Sequence, residues 1–471
     1  MTDDHSAEVF GAYGNDIVRT PNLDQLAAEG VHFTRAFTNA PVCTPARASI
    51  VTGRLPHATG VTLLRSPLPD TTRTIAEHLQ EQGFATGAVG KMDFKSDLTH
   101  GFDYRVTGRD FHQYRQERTF PPRPDSIEVR PPWRPFDDPA RVWLNADGRP
   151  SGHRDENSEG TYYARSAVDF LENNQSRRFC LWVSFHEPHS PFNFPVEFAD
   201  RYDPASMPLP QQGPEDEQWM PDEFESLRPD DKRGIIRSYY SSIEYADKNV
   251  GLVLDALDRL GLTENTLVIY LTDHGYLLGE HGRFEKHMMW EPIVRSPLVI
   301  RGPGWGSRVE DALVEYVDLL PTILGVLDVP PMRGLHGRSL VPLLTGDTVR
   351  HRSAVFSEFL ADKKFMVRTE RWKYIFTTGR HDLAQNYQTG NGPPGIDHRL
   401  YDLHKDPGEF RDLADDLKYS GVIKYLQQRL YMRLLRTHPH ADELPDRFSL
   451  VESLVWFAEP PERSPWQVGE R

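Results

Sequence analysis

Four short apolar runs constrain this chain more than any other feature. Ala85 to Val89, Phe179 to Phe185, Thr266 to Leu271 and Ser296 to Ile300 are nearly unbroken apolar segments of strand length. A strand that is apolar on both faces must be covered on both faces, as in a parallel sheet enclosed by helices. Amphipathic segments supply the cover: Asn22 to Glu29, Thr74 to Gln82, Thr161 to Leu171 and the long stretch Ile235 to Leu260. In the first of these, Pro21 precedes, Asp24 sits in the first turn, and Leu23, Leu26 and Ala27 share a face, which are helix-start signals. The alternation predicts an α/β domain built on a large, mostly parallel mixed sheet flanked by helices. Several apolar runs end in polar clusters: Gly90-Lys91, His186-Glu187-Pro188-His189 and Thr272-Asp273-His274-Gly275. Ligands of open α/β sheets collect at the carboxyl ends of strands, so Lys91, His189, Asp273 and His274 are expected to converge at one edge.

The texture changes near Arg350. Ala354 to Phe359, Lys364 to Arg368, Lys373 to Phe376 and Arg399 to Leu403 read as strands joined by turns, and Leu426 to Leu435 as a helix. This predicts a smaller C-terminal antiparallel sheet with a helix, and a division into residues 1–348 and 349–471. The irregular stretch Pro121 to Pro150 is either a solvated loop or a segment that gates a substrate.

Composition narrows the function. A net charge of −15 argues against a surface that wraps nucleic acid, though it leaves room for a locally basic pocket. Two cysteines in 471 residues are no disulfide framework. Cys180 lies in an apolar run and reads as a small core residue, whereas Cys43 sits among prolines, threonines and an arginine. No apolar stretch reaches about 18 residues, so no membrane span is expected. Met1-Thr2-Asp3-Asp4-His5 carries no export signal, and as written the chain reads as cytoplasmic.

Asp3-Asp4 and Asp273-His274 offer hard oxygen donors plus one imidazole, a set that favours Ca²⁺ or Mg²⁺ over Zn²⁺. Lys91 and Lys286 suit a tetrahedral oxyanion, and His189 can act as an acid near neutral pH. Taken singly, each has a plainer reading: an Asp-Asp pair is usually a solvated turn, a lysine a solubilising residue, a loop histidine a backbone partner. Their joint occurrence carries the weight.

The run from Cys43 to Gly53, CTPARASIVTG, resembles the sulfatase signature, in which a cysteine is oxidised to formylglycine. TDD at Thr2 to Asp4, GK at Gly90-Lys91, GFD at Gly101 to Asp103, FHEPHSPF at Phe185 to Phe192, TDHG at Thr272 to Gly275, VDLLPT at Val317 to Thr322 and LYDLHKDPGE at Leu400 to Glu409 follow in the family's order. The chain is thus similar, over nearly its whole length, to type I sulfatases of the alkaline-phosphatase-like superfamily. The resemblance implies sulfate ester hydrolysis. It makes Asp3, Asp4, Asp273, His274 and the formylglycine at Cys43 the ligands of a divalent metal, usually Ca²⁺. It implies that Arg47 holds the formylglycine hydrate, that Lys91 and Lys286 bind sulfate oxygens, and that His189 assists the leaving oxygen. It also implies maturation by a formylglycine-generating enzyme and a small sulfated substrate, a sugar or aryl sulfate.

Two departures from the family carry expectations. Where many members have a histidine two residues after the lysine of Gly-Lys, this chain has Asp93, a candidate base for the second hydroxyl, with His100 as a candidate substitute. The family also carries an apolar strand immediately before TDD. Its place here implies a fraying terminus under Asp3 and Asp4, or a start upstream of Met1 with a signal for the periplasm or secretion. The rival readings are a phosphonate monoester or phosphodiester hydrolase of the same superfamily, and a catalytically impaired binding homologue. Arg123, Arg130, Trp133 and Arg134 are the candidate substrate contacts.

Overall fold

The computed structural model describes residues 1–132, 140–380 and 395–460. In chain order its strands are β1 (Val31–Phe33), β2 (Ala36–Phe37), β3 (Ala85–Gly90), β4 (Tyr104–Val106), β5 (Phe179–Ser184), β6 (Val268–Leu271), β7 (Leu298–Arg301), β8 (Arg308–Glu310), β9 (Val314–Glu315), β10 (Val355–Phe359), β11 (Lys364–Arg368), β12 (Trp372–Thr377) and β13 (Asp397–Asp402). The apolar runs became β3, β5, β6 and β7. β3 pairs with β4 and β5, both parallel. A second group runs β6-β7-β1-β8, in which β7 is antiparallel to both neighbours and β1 and β8 are parallel. The apolar character of β7 therefore marked burial correctly but carried no information on strand direction.

The two groups meet at the first residues of the chain. Thr2 forms a parallel bridge with Thr272, Thr2 N–H donates to Leu271 O at 3.1 Å, and Phe185 N–H donates to Met1 O at 3.0 Å. Asp3 N–H donates to Glu187 O at 3.1 Å. This corrects the expectation of a fraying terminus: Asp3 and Asp4 are wholly buried, because backbone from both sheet groups holds the segment in place.

Helices cover the sheet as the periodicity requires, at Pro21–Glu29, Ile75–Glu81, Glu159–Asn174 and Pro229–Arg259. The last begins six residues before the expected Ile235. Pro229 at its first position and the Arg228–Asp231 cap start it, and this polar first turn carries no apolar stripe to betray it.

The C-terminal antiparallel sheet runs β10-β11-β12-β13. Alternate residues divide between two cores. Met366 and Ile375 join Phe37, Trp290 and Tyr401, while Phe365, Val367, Tyr374 and Phe376 pack on Leu426, Leu430 and Leu434 of the helix Ser420–Thr437. Each such fully buried side chain contributes about 1.5–3 kcal/mol relative to exposure. One face of this sheet thus shares a core with Val42 and Ala46, close in sequence to Cys43. Among the described residues no helix is long and apolar enough to cross a membrane.

Candidate active site

Cys43 opens the helix Cys43–Thr52, directly after Val42 in extended conformation. All ten residues of this helix are buried, and it stops at Gly53, which takes the left-handed conformation (φ 65°). Cys43 therefore lies at the positive end of a buried helix dipole. Around it the strand ends deliver the polar clusters. β3 ends in Gly90, where a Cβ would meet Ser184 O at 2.1 Å, so only glycine lets Lys91 leave the sheet beside β5. β6 ends in Thr272, and Thr272 Oγ1 accepts from His5 N–H at 3.1 Å.

Four carboxylates and three cations interlock here. Lys286 Nζ lies 2.9 Å from Asp4 Oδ1 and 3.1 Å from Cys43 Sγ. Lys91 Nζ pairs with Asp3 and lies 3.5 Å from Asp93 Oδ2. Arg47 reaches Asp273 Oδ2 at 2.8 Å, Asp3 Oδ1 at 3.6 Å, Ser184 Oγ at 2.7 Å and Lys91 O at 2.6 Å. His274 Nε2 faces Cys43 Sγ and Asp4 Oδ1, each at 3.4 Å, while its Nδ1 lies 2.9 Å from Gly275 O. That carbonyl can only accept, so Nδ1 bears a hydrogen and Nε2 is the nitrogen turned to the centre. His189 follows the same rule: Nδ1 donates to Ser190 O at 2.7 Å and Nε2 lies 3.8 Å from Asp4 Oδ2.

Burial and charge oppose each other throughout the cluster. Burial would raise Asp3, but Lys91 and Arg47 hold it well below the usual carboxylate range. For Asp4, burial outweighs Lys286 and His274, and its carboxyl is raised. Burial and then the Asp3 charge push the Cys43 thiol far up, so as cysteine it stays a protonated, poor nucleophile. His189 is held well down by burial and by Lys286. Asp4 also adopts φ 63°, a left-handed conformation uncommon outside glycine and found at sites where geometry matters more than ease.

Asp3, Asp4, Cys43 and His274 each bring one ligand atom to within 4.8 Å of the others. Asp3 Oδ1 is buried and accepts no hydrogen bond, so the cluster has unused capacity for a cation. Asp273 sits one step behind. Its Oδ1 accepts from Asp4 N–H at 3.1 Å and His274 N–H at 3.0 Å, and lies 3.8 Å from His274 Nε2. His186, half-exposed, comes within 4.0 Å of Asp3 and forms a second candidate ligand group with Asp3 and His189.

A family model described as Sulfatase matches residues 1–329, and one described as N-sulphoglucosamine sulphohydrolase, C-terminal, matches residues 279–435. The chain belongs to the sulfatase family. Its relatives include the choline-sulfatase of Rhizobium meliloti, 28% identical and aligned over 88% of this chain and 81% of the relative. The ulvan-active sulfatase of Formosa agariphila is 30% identical over 92% of this chain and 84% of the relative. Among solved structures, the phosphonate monoester hydrolase of Silicibacter pomeroyi superposes with a TM-score of 0.78 at 23% identity, covering 94% of this chain and 96% of the other. A protein solved in complex with its substrate D-glucosamine-2-N,6-O-disulfate superposes with a TM-score of 0.67 at 22% identity, covering 95% and 98%. The fold is the alkaline-phosphatase-like one expected of a sulfatase.

Cys43, Arg47, Lys91, His189, Asp273, His274, Lys286, Asp3 and Asp4 all come together in this sulfatase. Asp93 reaches the cluster through Lys91, and Lys95 holds its other side at 2.9 Å. Burial opposes, but these two lysines keep Asp93 far below the usual carboxylate range, which suits an ion-pair partner and not a base. His100 packs against the Phe94 ring, with Nε2 3.3 Å from Ser96 Oγ, and so does not stand in for a catalytic histidine. Arg130 donates to Asn193 Oδ1 at 2.9 Å and so braces the loop that carries His189. Arg123 turns onto Ile127 O. Trp133 and Arg134 lie outside the described residues. Ser184, which anchors Arg47, and Tyr239, whose hydroxyl donates to Asp4 O at 2.5 Å, were missed. The end of an apolar strand could have flagged Ser184; nothing in the sequence flagged Tyr239.

Proposed function

We propose that this chain hydrolyses a sulfate monoester, with Cys43 oxidised to formylglycine and a calcium ion held by that residue together with Asp3, Asp4, Asp273 and His274. The observation that carries the reading is the meeting of Cys43, Lys286 and His274 Nε2 at a helix N-terminus, beside a buried carboxylate oxygen that accepts no hydrogen bond. Carboxylates with one imidazole and no structural thiolate set form a donor group suited to Ca²⁺ or Mg²⁺. When present, the metal would polarise the ester and the formylglycine hydrate would supply two hydroxyls on one carbon, one to attack sulfur and one to release sulfate.

The chain's own residues do the rest. Asp3 and Asp4 would hold the cation, and the ammonium groups of Lys91 and Lys286 would then serve the sulfate oxygens, where charge develops. Arg47 fixes Asp3 and Asp273 relative to the helix. His189, with Nδ1 donating to Ser190 O, presents Nε2 to the site, where a bound sulfate anion would raise its basicity so that it takes up and passes on the proton for the departing alcohol. Asp93 orients Lys91.

Sulfated sugars are the substrate class we favour, in keeping with the disulfated glucosamine bound by the protein of like fold. A second reading draws on the phosphonate monoester hydrolase, whose superposition is the better of the two, with a TM-score of 0.78 against 0.67. Parallel assays on sulfate, phosphate and phosphonate esters of one alcohol separate them. Protein co-produced with a formylglycine-generating enzyme should carry an aldehyde at Cys43 by peptide mass spectrometry and prefer the sulfate ester. An unmodified thiol there, or a preference for the phosphonate, would overturn the first reading.

A further inference from the structure

Away from the catalytic cluster, a cavity of about 480 Å³ opens between the helix Ser420–Thr437, the stretch His336–Arg338 and the residues leading into β10. That volume falls within the range of small-molecule sites, roughly 300–1,000 Å³. Its walls carry Arg338, Arg352, Arg429, Arg433, Arg436 and His336, and no carboxylate. On a chain with a net charge of −15 such a concentration of guanidinium groups is unexpected from composition.

Two of the arginines are already balanced. Arg352 reaches Asp318 Oδ2 at 2.7 Å and Glu315 Oε2 at 3.1 Å, and Arg433 reaches Glu315 Oε2 at 2.8 Å. Those carboxylates lie behind the wall and fix its shape. Among the described residues the other three have no carboxylate partner. Arg429 donates only to uncharged oxygens, Ser353 Oγ at 2.7 Å and Tyr425 OH at 2.8 Å. Arg338 and Arg436 are exposed, and among the described residues neither guanidinium has a carboxylate within ion-pair distance.

The helix sets the geometry. Arg429, Arg433 and Arg436 follow one another at intervals of four and three residues, so they share a face. Tyr425 and Met432 belong to the same face and line the same cavity, 49% and 43% exposed. Guanidinium planes match the paired oxygens of sulfate and carboxylate groups. An exposed tyrosine ring beside them offers a flat apolar surface to the C–H face of a sugar ring.

We infer that this cavity is a second binding site, remote from Cys43, for an anionic oligosaccharide carrying at least two sulfate or carboxylate groups. Arg338, Arg429 and Arg436 take the anions and Tyr425 takes a ring between them. It goes beyond the hydrolytic reading and does not depend on it, since binding requires neither formylglycine nor metal.

The test uses the full chain with Cys43→Ala, titrated calorimetrically with sucrose octasulfate, and with uncharged sucrose and inorganic sulfate as separate arms. The double variant Arg338→Gln/Arg436→Gln should bind the octasulfate weaker by about tenfold or more and with a shallower salt dependence, as expected when charge-assisted contacts are lost. Tyr425→Ala should weaken binding several-fold with the salt dependence unchanged. Neither change should move the melting temperature or, in the Cys43 background, the turnover of a small aryl sulfate. Unchanged octasulfate affinity in the double variant would overturn the inference. So would inorganic sulfate competing at equal affinity, which would mean a simple ion site, or binding of uncharged sucrose as tight as that of the octasulfate.

Discussion

Two buried clusters of opposite charge sit in this molecule and behave differently. At the candidate active site, Asp3, Asp4 and Asp273 face Arg47, Lys91 and Lys286. Where the C-terminal sheet meets the rest of the chain, Lys373 of β12, wholly buried, lies 3.2 Å from Glu291 Oε1 and 2.8 Å from Glu409 Oε1. Glu409 Oε2 in turn accepts from Glu291 N–H at 2.6 Å, and Arg368 stands 3.7 Å from Glu291. In the second cluster the charges satisfy one another and tie three segments together. In the first, Arg47 stands 3.6 Å from Asp3 Oδ1, against 2.8 Å between Lys373 and Glu409 Oε1 in the second, and a thiol lies 3.4 Å from His274 Nε2. A closed set of buried charges specifies a structure; an open one is arranged for something still to arrive.

The contrast can be broken most sharply at the catalytic centre. Asp4→Ala and Lys286→Ala should each lower turnover of an aryl sulfate by about a thousandfold or more, the scale of losing a preorganised electrostatic group. Measured on chelated protein, their chemical-denaturation midpoints should move less than that of Lys373→Met. A large stability loss would place this cluster with the structural one. Lys373→Met should do the reverse: it strands two buried glutamates and costs about 3–5 kcal/mol by urea denaturation, while turnover per folded molecule stays near normal. Chelation should abolish turnover and, if metal had been held at about a hundred times its dissociation constant, lower stability by about 2.7 kcal/mol. Lys373→Met protein should show the same chelation-linked loss as the parent if the two clusters are independent.

The smallest effect concerns neutral buried imidazoles near the second region. Burial pushes His438 and His336 down to about 3. His438 packs against the Phe457 ring, and the neighbouring His57 ties Glu358 to Thr437 through its two ring nitrogens. The unfolded chain takes up these protons near pH 6.5 and the folded chain only near pH 3, so stability is full above 6.5 and falls as pH drops through that interval. Melting curves from pH 7 to 4 should show the decline, and His438→Phe should flatten it. A decline identical in the variant would remove His438 from the account.

Much of this was legible in the sequence because it depends on local pattern. Both-face apolarity marked β3, β5, β6 and β7, and alternation marked the C-terminal sheet. Strand ends placed Lys91, His189 and Asp273. What was not legible depends on partners far along the chain. β7 runs antiparallel because of where its neighbours lie, not because of its composition. Asp93 looks like a base until Lys91 and Lys95 are placed on either side of it. Tyr239 touches Asp4 O across 235 positions of sequence, and no local signal reports such a contact. The arginine-lined cavity gathers side chains from three separate segments, of which only the helical stripe is visible in sequence.

The stitching of Thr2 to Thr272 has a consequence for timing. That contact spans 270 residues, so the strand ends flanking Asp3 and Asp4 cannot close until more than half of the chain has been synthesised. Until then Cys43, which ends 3% exposed, has no lid made of His274 and Lys286 above it. Any enzyme that must grip the Cys43 segment has that interval in which to work. A slow ribosome, or a destabilised β6, would lengthen the interval, and the fraction of molecules carrying the aldehyde would then report how fast this chain folds.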